Sequence, residues 1–283
     1  MSLITGTLDV VAFRDSDTSS SIYITYTADD DSLERHLRTW DIKTFVARTA
    51  FFDEDGRPRA YYADTLDADS LHRDAARDRR SNQLEKRYTL PFDSYCVSFC
   101  FEDERALTQS LVSAQTSTLR YLGGSLALSD ILLHTTFTPA TNPVIHRRHK
   151  SFSVNRRRAY TPSEKLHLYI ELYNLSLSDG RCDYEVTYSI YEADTTSSRR
   201  QRIGRAINRL FPIGTPSHAI ISQSFQRTGT SDVASEELAI DIHALEPGDY
   251  VLAVSAMDRI FGEWVRVSRS FVKLRSAVNR RGP

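Results

Sequence analysis

The sequence predicts an all-β chain folded as two tandem β-sandwiches with short helical or loop insertions. Three features point there: a hydrophobic period of two, turn residues at short intervals, and a pattern of strands that occurs twice. Alternation begins with Ile22, Ile24 and Tyr26 set against Tyr23 and Thr25, and resumes where Phe45, Ala47, Thr49 and Phe51 alternate with Val46, Arg48 and Ala50. Asp53 to Gly56 reads as a hairpin turn ahead of Tyr61 and Tyr62, because Asp and Gly tolerate the backbone of tight turns. Further β-like runs are Ser94 to Phe101 and Ser117 to Leu122, then Leu166 to Leu172 and Val186 to Ile190. Ala219 to Phe225, Tyr250 to Ala256 and Trp264 to Leu274 complete the set. Many short strands without intervening helical patterns argue for a sandwich or barrel rather than a parallel sheet.

The repeat is most specific around two tyrosines. Leu90 precedes Tyr95 by five residues, Leu245 precedes Tyr250 by five, and an acidic residue, Asp103 or Asp258, follows each tyrosine after eight. Upstream, Ile22, Tyr23 and Ile24 parallel Leu168, Tyr169 and Ile170, and Phe45 to Phe52 parallels Tyr184 to Tyr191. A module copied once explains this order. In immunoglobulin-like and fibronectin-like sandwiches a tyrosine near the start of the penultimate strand returns its hydroxyl to the backbone of the preceding corner. Tyr95 fits that position, and so does Tyr250 behind Leu245, Pro247 and Gly248. The expected domains are residues 1–125 and 126–275, both of that sandwich type, followed by a tail at 276–283, with Gly123, Gly124 and Ser125 at the junction.

Charge and cysteine content limit the function classes. The 283 residues carry 36 Lys and Arg against 37 Asp and Glu, a net charge of -1, so no global field gathers nucleic acid or anionic lipid. No stretch approaches the ~18 apolar residues of a membrane helix, and Met1 to Asp15 lacks the pattern of a signal peptide. Three cysteines make no disulfide framework, and Cys96 and Cys100, four apart in a strand, lie ~13 Å from each other. Charge is uneven: residues 1–125 hold 15 basic and 21 acidic side chains, and the remainder holds 21 and 16. Arg156, Arg157 and Arg158, with Arg199, Arg200, Arg202, Arg205 and Arg209, form the candidate interaction patch.

No phosphate loop, HExxH, GxSxG or paired CxxC occurs, and no catalytic, cofactor-binding or metal-binding residues are assigned. His146 and His149 have a metal-like spacing, but Arg147, Arg148 and Lys150 beside them oppose a cation and favour a solvated loop. Asp29 to Asp31 and Asp53 to Asp55 could offer oxygens to calcium, although acidic turns are common without it. Ile203, Ile207, Leu210 and Phe211 with interleaved arginines fit a connection packing its apolar side on the sandwich better than a cationic helix. Between Asp67 and Arg87 charges alternate as on a solvated helix or loop. Fourteen tyrosines suggest either a sugar-stacking surface or core duty, alternation favouring the core, and Trp264 is a better candidate for exposure than Trp40.

Leu128, Ser129, Asp130, Ile131, Leu132 and Leu133, followed after a basic stretch by Leu168 to Leu175, resemble the β-sandwich region of bacterial GWxTD-domain-containing proteins. The resemblance extends over about residues 85 to 275, and the GWxTD motif itself is absent. It implies a sandwich fold and a cell-envelope location, and no catalytic residue. The expectation is therefore a non-catalytic interaction or spacer module, with no cofactor or nucleic acid, binding a protein partner or itself. The alternatives are a carbohydrate-binding module and an enzyme with a site between the two domains.

Overall fold

A computed structural model describes residues 4–39, 42–67, 83–105, 109–135, 144–155, 158–193 and 219–275. The chain divides into two compact units, Met1–Leu122 with Thr136–Arg156, and Gly123–Thr135 with Arg157–Pro283. Both are built from sheets that are antiparallel except for the pairing of Ala159–Tyr160 with the last strand, so the chain is all-β and sandwich-like. Among the described residues no helix is long and apolar enough to cross a membrane.

The first unit begins with β1 (Gly6–Arg14), β2 (Ser19–Ala28), α1 (Asp30–Thr39), β3 (Thr44–Phe52) and β4 (Pro58–Asp67). It continues with β5 (Gln83–Pro91), β6 (Ser94–Asp103) and β7 (Gln109–Ser117). The strands form two sheets, β1-β2-β5 and β4-β3-β6-β7. Strict alternation of burial along β3 and β6 sends Phe45, Ala47, Phe51, Val97, Phe99 and Phe101 inward to meet Ile22, Ile24 and Tyr26. Tyr26 stacks on Phe99 with ring centroids 4.6 Å apart. A Cβ at Gly6 would fall on the Tyr26 ring, which is why the neighbouring strand β1 carries a glycine there.

The second unit contains β8 (Ala127–Leu128), β9 (Leu132–Thr135), β12 (Ala159–Tyr160), β13 (Leu166–Tyr173) and β14 (Cys182–Glu192). After these come β15 (Ile221–Gly229), β16 (Val233–Ile240), β17 (Gly248–Asp258) and β18 (Trp264–Lys273). Within the unit, β9 and β8 both pair with β13, which pairs with β16, and the facing sheet runs β12-β18-β17-β14-β15. Between the two parts of this unit's chain, β10 (Val144–Arg147) and β11 (Lys150–Val154) make a hairpin that belongs to the first unit. It is pinned there by Arg147, whose guanidinium lies 4.6 Å from the Phe13 ring centroid and donates to the Arg14 carbonyl.

The two units share one strand order. In each, the first, second and fifth strands form one sheet, and the fourth, third, sixth and seventh form the other. Tyr95 and Tyr250 therefore begin equivalent sixth strands, β6 and β17, and the paired segments matched in sequence are the second and third strands of each unit. Some elements differ from expectation. The edge strand β7 ends at Ser117, and Leu119–Tyr121 is a 3-10 turn rather than a strand. The end of the charge-alternating stretch, from Gln83, is the strand β5, because Tyr88 and Leu90 turn into the core while Lys86 and Arg87 find carboxylates at Asp64 and Asp15.

Candidate interaction surface

The tyrosine hydroxyls act as the sequence pattern suggests. Tyr95 Oη donates to the Pro91 carbonyl at 2.8 Å, and Tyr250 Oη donates to the Glu246 carbonyl at 2.7 Å. Both span four residues across the turn that opens the sixth strand, and burial pushes both hydroxyls above the ordinary tyrosine pKa. Leu245 is buried at the same corner, Pro247 sits in the bend, and Gly248 is the first residue of β17.

The acidic residue eight positions on has its own repeated role. Asp258 lies at the end of β17 and is 1% exposed. Its Oδ2 accepts from the Ser176 amide at 2.7 Å, in the β13–β14 connection, and its Oδ1 accepts from the Ile260 amide at 2.8 Å, in the β17–β18 connection. Burial opposes its ionisation, but these amide bonds prevail and hold the carboxyl below the ordinary carboxylate pKa. Asp103, at the end of β6, accepts from the Arg105 amide at 2.9 Å and bonds His36 of α1 at 2.8 Å, both side chains being fully buried. In both units one aspartate thus ties the connection between the second and third strands to the connection after the sixth.

In the second unit this tie presents apolar side chains to solvent. The β17–β18 turn is closed by the Asp258 amide bonding the Glu263 carbonyl and the Gly262 amide bonding the Asp258 carbonyl, each at 2.8 Å. Gly262 adopts φ 74°, which a residue with a Cβ takes only under strain. The Arg259 amide donates to the Asp183 carbonyl at 2.9 Å, and Glu263 accepts from the Leu126 amide at 2.9 Å, so both flanks of the turn are fixed. Phe261 sits on this turn with 77% of its surface exposed, Trp264 follows at 42%, and Leu177 on the neighbouring connection is at 49%. A rigid turn carrying an exposed aromatic has little conformational entropy left to lose on binding.

The structure places the other sequence candidates as follows. Arg199, Arg200, Arg202, Arg205 and Arg209 lie outside the described residues, as do Arg156, Arg157 and Trp40. Arg158 has φ 47° and presents its carbonyl to the Val272 amide at 2.8 Å, starting the parallel pairing of β12 with β18. Asp29 accepts from the Ser32 amide at 2.9 Å as the N-cap of α1, and Asp53 accepts from the Arg57 and Asp55 amides inside its hairpin while pairing with Arg59 at 3.1 Å. Among the described residues no group of three His, Cys, Asp or Glu side chains is placed to hold a metal ion. Eleven of the fourteen tyrosines are buried.

Sequence reasoning missed several polar groups inside the second unit. Glu171 on β13 is fully buried and accepts from Tyr169 Oη at 3.0 Å and Tyr173 Oη at 2.8 Å, two residues away on the same side of the strand. Tyr184 Oη donates at 2.8 Å to Glu236, whose other oxygen lies 3.6 Å from Arg227 Nε. Burial and that carboxylate push the Tyr184 pKa well up. Beside Glu237, His134 and His167 lie with ring centroids 5.6 Å apart, and burial lowers the pKa of both. The signal for Glu171, His134 and His167 was a polar residue at a strand position that alternation leaves outside the core, whereas Glu236 falls on the same face of β16 as Leu238 and Ile240 and gave no such signal.

No protein-family model and no curated protein matches the chain. Among solved structures it is similar to the crystal structure of red sea bream transglutaminase, at 8% identity and a TM-score of 0.25 over 95% of this chain. The chain spans 31% of that structure's length, and a likeness of this size bears on neither fold nor activity.

Proposed function

We propose that the protein is a non-catalytic interaction module of two immunoglobulin-like or fibronectin-like sandwiches, acting in a bacterial cell envelope and holding a protein partner on the loop end of its second unit. The observation that carries the reading is Phe261, 77% exposed on a turn that Asp258 fixes to the neighbouring connection. Pre-formed loops at one end of a sandwich are a common recognition surface, and exposed aromatics are the usual anchors of such contacts. The immunoglobulin-like assignment is supported by the shared strand order and by the two tyrosine corners. The non-catalytic assignment is supported by the occupations of five of the six carboxylates buried among the described residues: Asp53, Asp103, Asp258, Glu171 and Glu236 serve loops or core hydroxyls. The envelope location rests on the sequence resemblance alone. With eleven tyrosines in the core, tyrosine content gives no support to a sugar-stacking surface.

The test replaces Phe261 by a photocrosslinking phenylalanine in the cells that make the protein, with the same replacement at exposed Ser224 as control. One discrete protein adduct from position 261, absent from position 224 and recovered in the envelope fraction, is expected. Equal labelling from both positions would remove the loop end from consideration, and adducts confined to the cytosolic fraction would remove the location.

A further inference from the structure

The four-stranded sheet of the first unit turns an unusually neutral face outward. Alternation on β3 and β6 leaves Val46, Ala50, Phe52, Cys96 and Cys100 on the side away from the core, each half-buried. The register extends this face to both edges: Ala50 is paired with Tyr61 on β4, and Cys100 is paired with Leu111 on β7. Those two edge residues are 59% and 68% exposed, so apolar groups stand at both margins while small residues lie between them. The central charges of the face are Arg48 and Glu102, which pair with each other at 2.7 Å, and the Arg48 guanidinium also donates to Tyr61 Oη at 2.8 Å. These bonds hold the Tyr61 ring in place.

From this we infer that the outward face of β4-β3-β6-β7 is the contact through which a second copy of the chain docks, sheet against sheet about a twofold axis. A face meeting its own copy must be complementary to itself, because the same patch supplies both sides of the contact. This face meets that condition electrostatically. Arg48 and Glu102 carry opposite charges side by side, so a twofold operation sets the arginine of one copy towards the glutamate of the other. A lipid surface would instead call for a cationic rim, which the paired Arg48 and Glu102 do not supply. Four strands at ~4.8 Å spacing and nine residues at ~3.4 Å rise give ~600 Å² of face per copy, or ~1,200 Å² for two. That lies at the lower limit of specific interfaces, the size class of weak and reversible contacts. The inference is independent of the loop-end reading, since it concerns other residues on the other unit.

Sedimentation equilibrium over a wide concentration range tests it on the full chain, together with cross-linking by a short bis-maleimide. Cys96 and Cys100 are partly exposed on the face, whereas Cys182 is 2% exposed and is expected not to react in the folded protein. A reversible dimer is expected, with a covalent dimer from the bis-maleimide that disappears in the Cys96→Ser, Cys100→Ser double variant. Leu111→Glu, at an exposed position where folding is unaffected, is expected to weaken dimerisation at least tenfold, with unchanged far-ultraviolet circular dichroism as the check. A chain that stays monomeric throughout, or a dimer equally stable with Leu111→Glu, overturns the inference.

Discussion

At the scale of single residues, the tyrosine corners were the most legible feature of the sequence. Their spacing from Leu90 and Leu245 is fixed by local geometry: the hydroxyl reaches a carbonyl four residues back only when the corner has that length. Removing one hydroxyl leaves the ring packed and a carbonyl short of one donor, so Tyr95→Phe and Tyr250→Phe each cost about 1 kcal/mol in urea unfolding. The aspartates eight residues later were visible only as a coincidence of spacing. Their partners are backbone amides or a histidine on a different connection, and sequence does not say which connections meet at one end of a sandwich. Asp258 makes this measurable through acid stability. Its carboxyl is held below the ordinary range in the folded chain, so the unfolded chain binds the proton first. The stability it contributes is fully present above pH ~4 and is lost as pH falls through the folded value. Asp258→Asn is expected to be less stable at pH 7 and to show a shallower loss of stability below pH ~4.

Elements were legible wherever burial alternates cleanly. Along β3 and β6 every second residue is buried, and both were read from sequence. Several strands escaped: β5 pairs its charges with Asp64 and Asp15, β7 is made largely of small polar residues, β16 carries three acidic or hydroxyl residues in a row, and β1 was missed because its buried run Val10 to Phe13 is continuous rather than alternating. The β10–β11 hairpin escaped for another reason. Arg147 pairs with Lys150, so the turn between them is two residues long, and both Arg148 and His149 have positive φ, at 46° and 66°. This is the backbone of a type I′ turn, whose usual sequence is Asn-Gly, and arginine and histidine hide it. Holding L-residues in the left-handed region costs roughly 1–2 kcal/mol each. The double replacement Arg148→Asn, His149→Gly is therefore expected to stabilise the chain by about 1–2 kcal/mol in equilibrium unfolding, with the far-ultraviolet spectrum unchanged. A loss of stability would show that the Arg148 and His149 side chains contribute more than their backbone strain costs.

For the whole molecule, the shared strand order of the two units was legible because their elements share both period and order, but sequence could not reveal that the units are interleaved along the chain. The segment Thr136–Arg156 follows the start of the second unit and yet belongs to the first. Contacts that hold it there include Arg147 over Phe13, Arg147 to the Arg14 carbonyl, and Tyr23 Oη to the His146 carbonyl at 3.4 Å. None of these is local, and no periodicity announces them. The consequence is experimental. A fragment ending at residue 125 keeps all seven strands of the first sandwich but loses the hairpin, leaving Phe13, fully buried in the intact chain, and Tyr23 without those partners. Such a fragment is expected to fold with native-like secondary structure and to melt several degrees below the first transition of the full chain, consistent with losing a cation–π contact and two hydrogen bonds worth about 1 kcal/mol each. Arg147→Ala in the intact chain should reproduce part of that loss by removing two of the three contacts. If the fragment melts with the full chain and Arg147→Ala is neutral, the hairpin rests on the first sandwich without stabilising it.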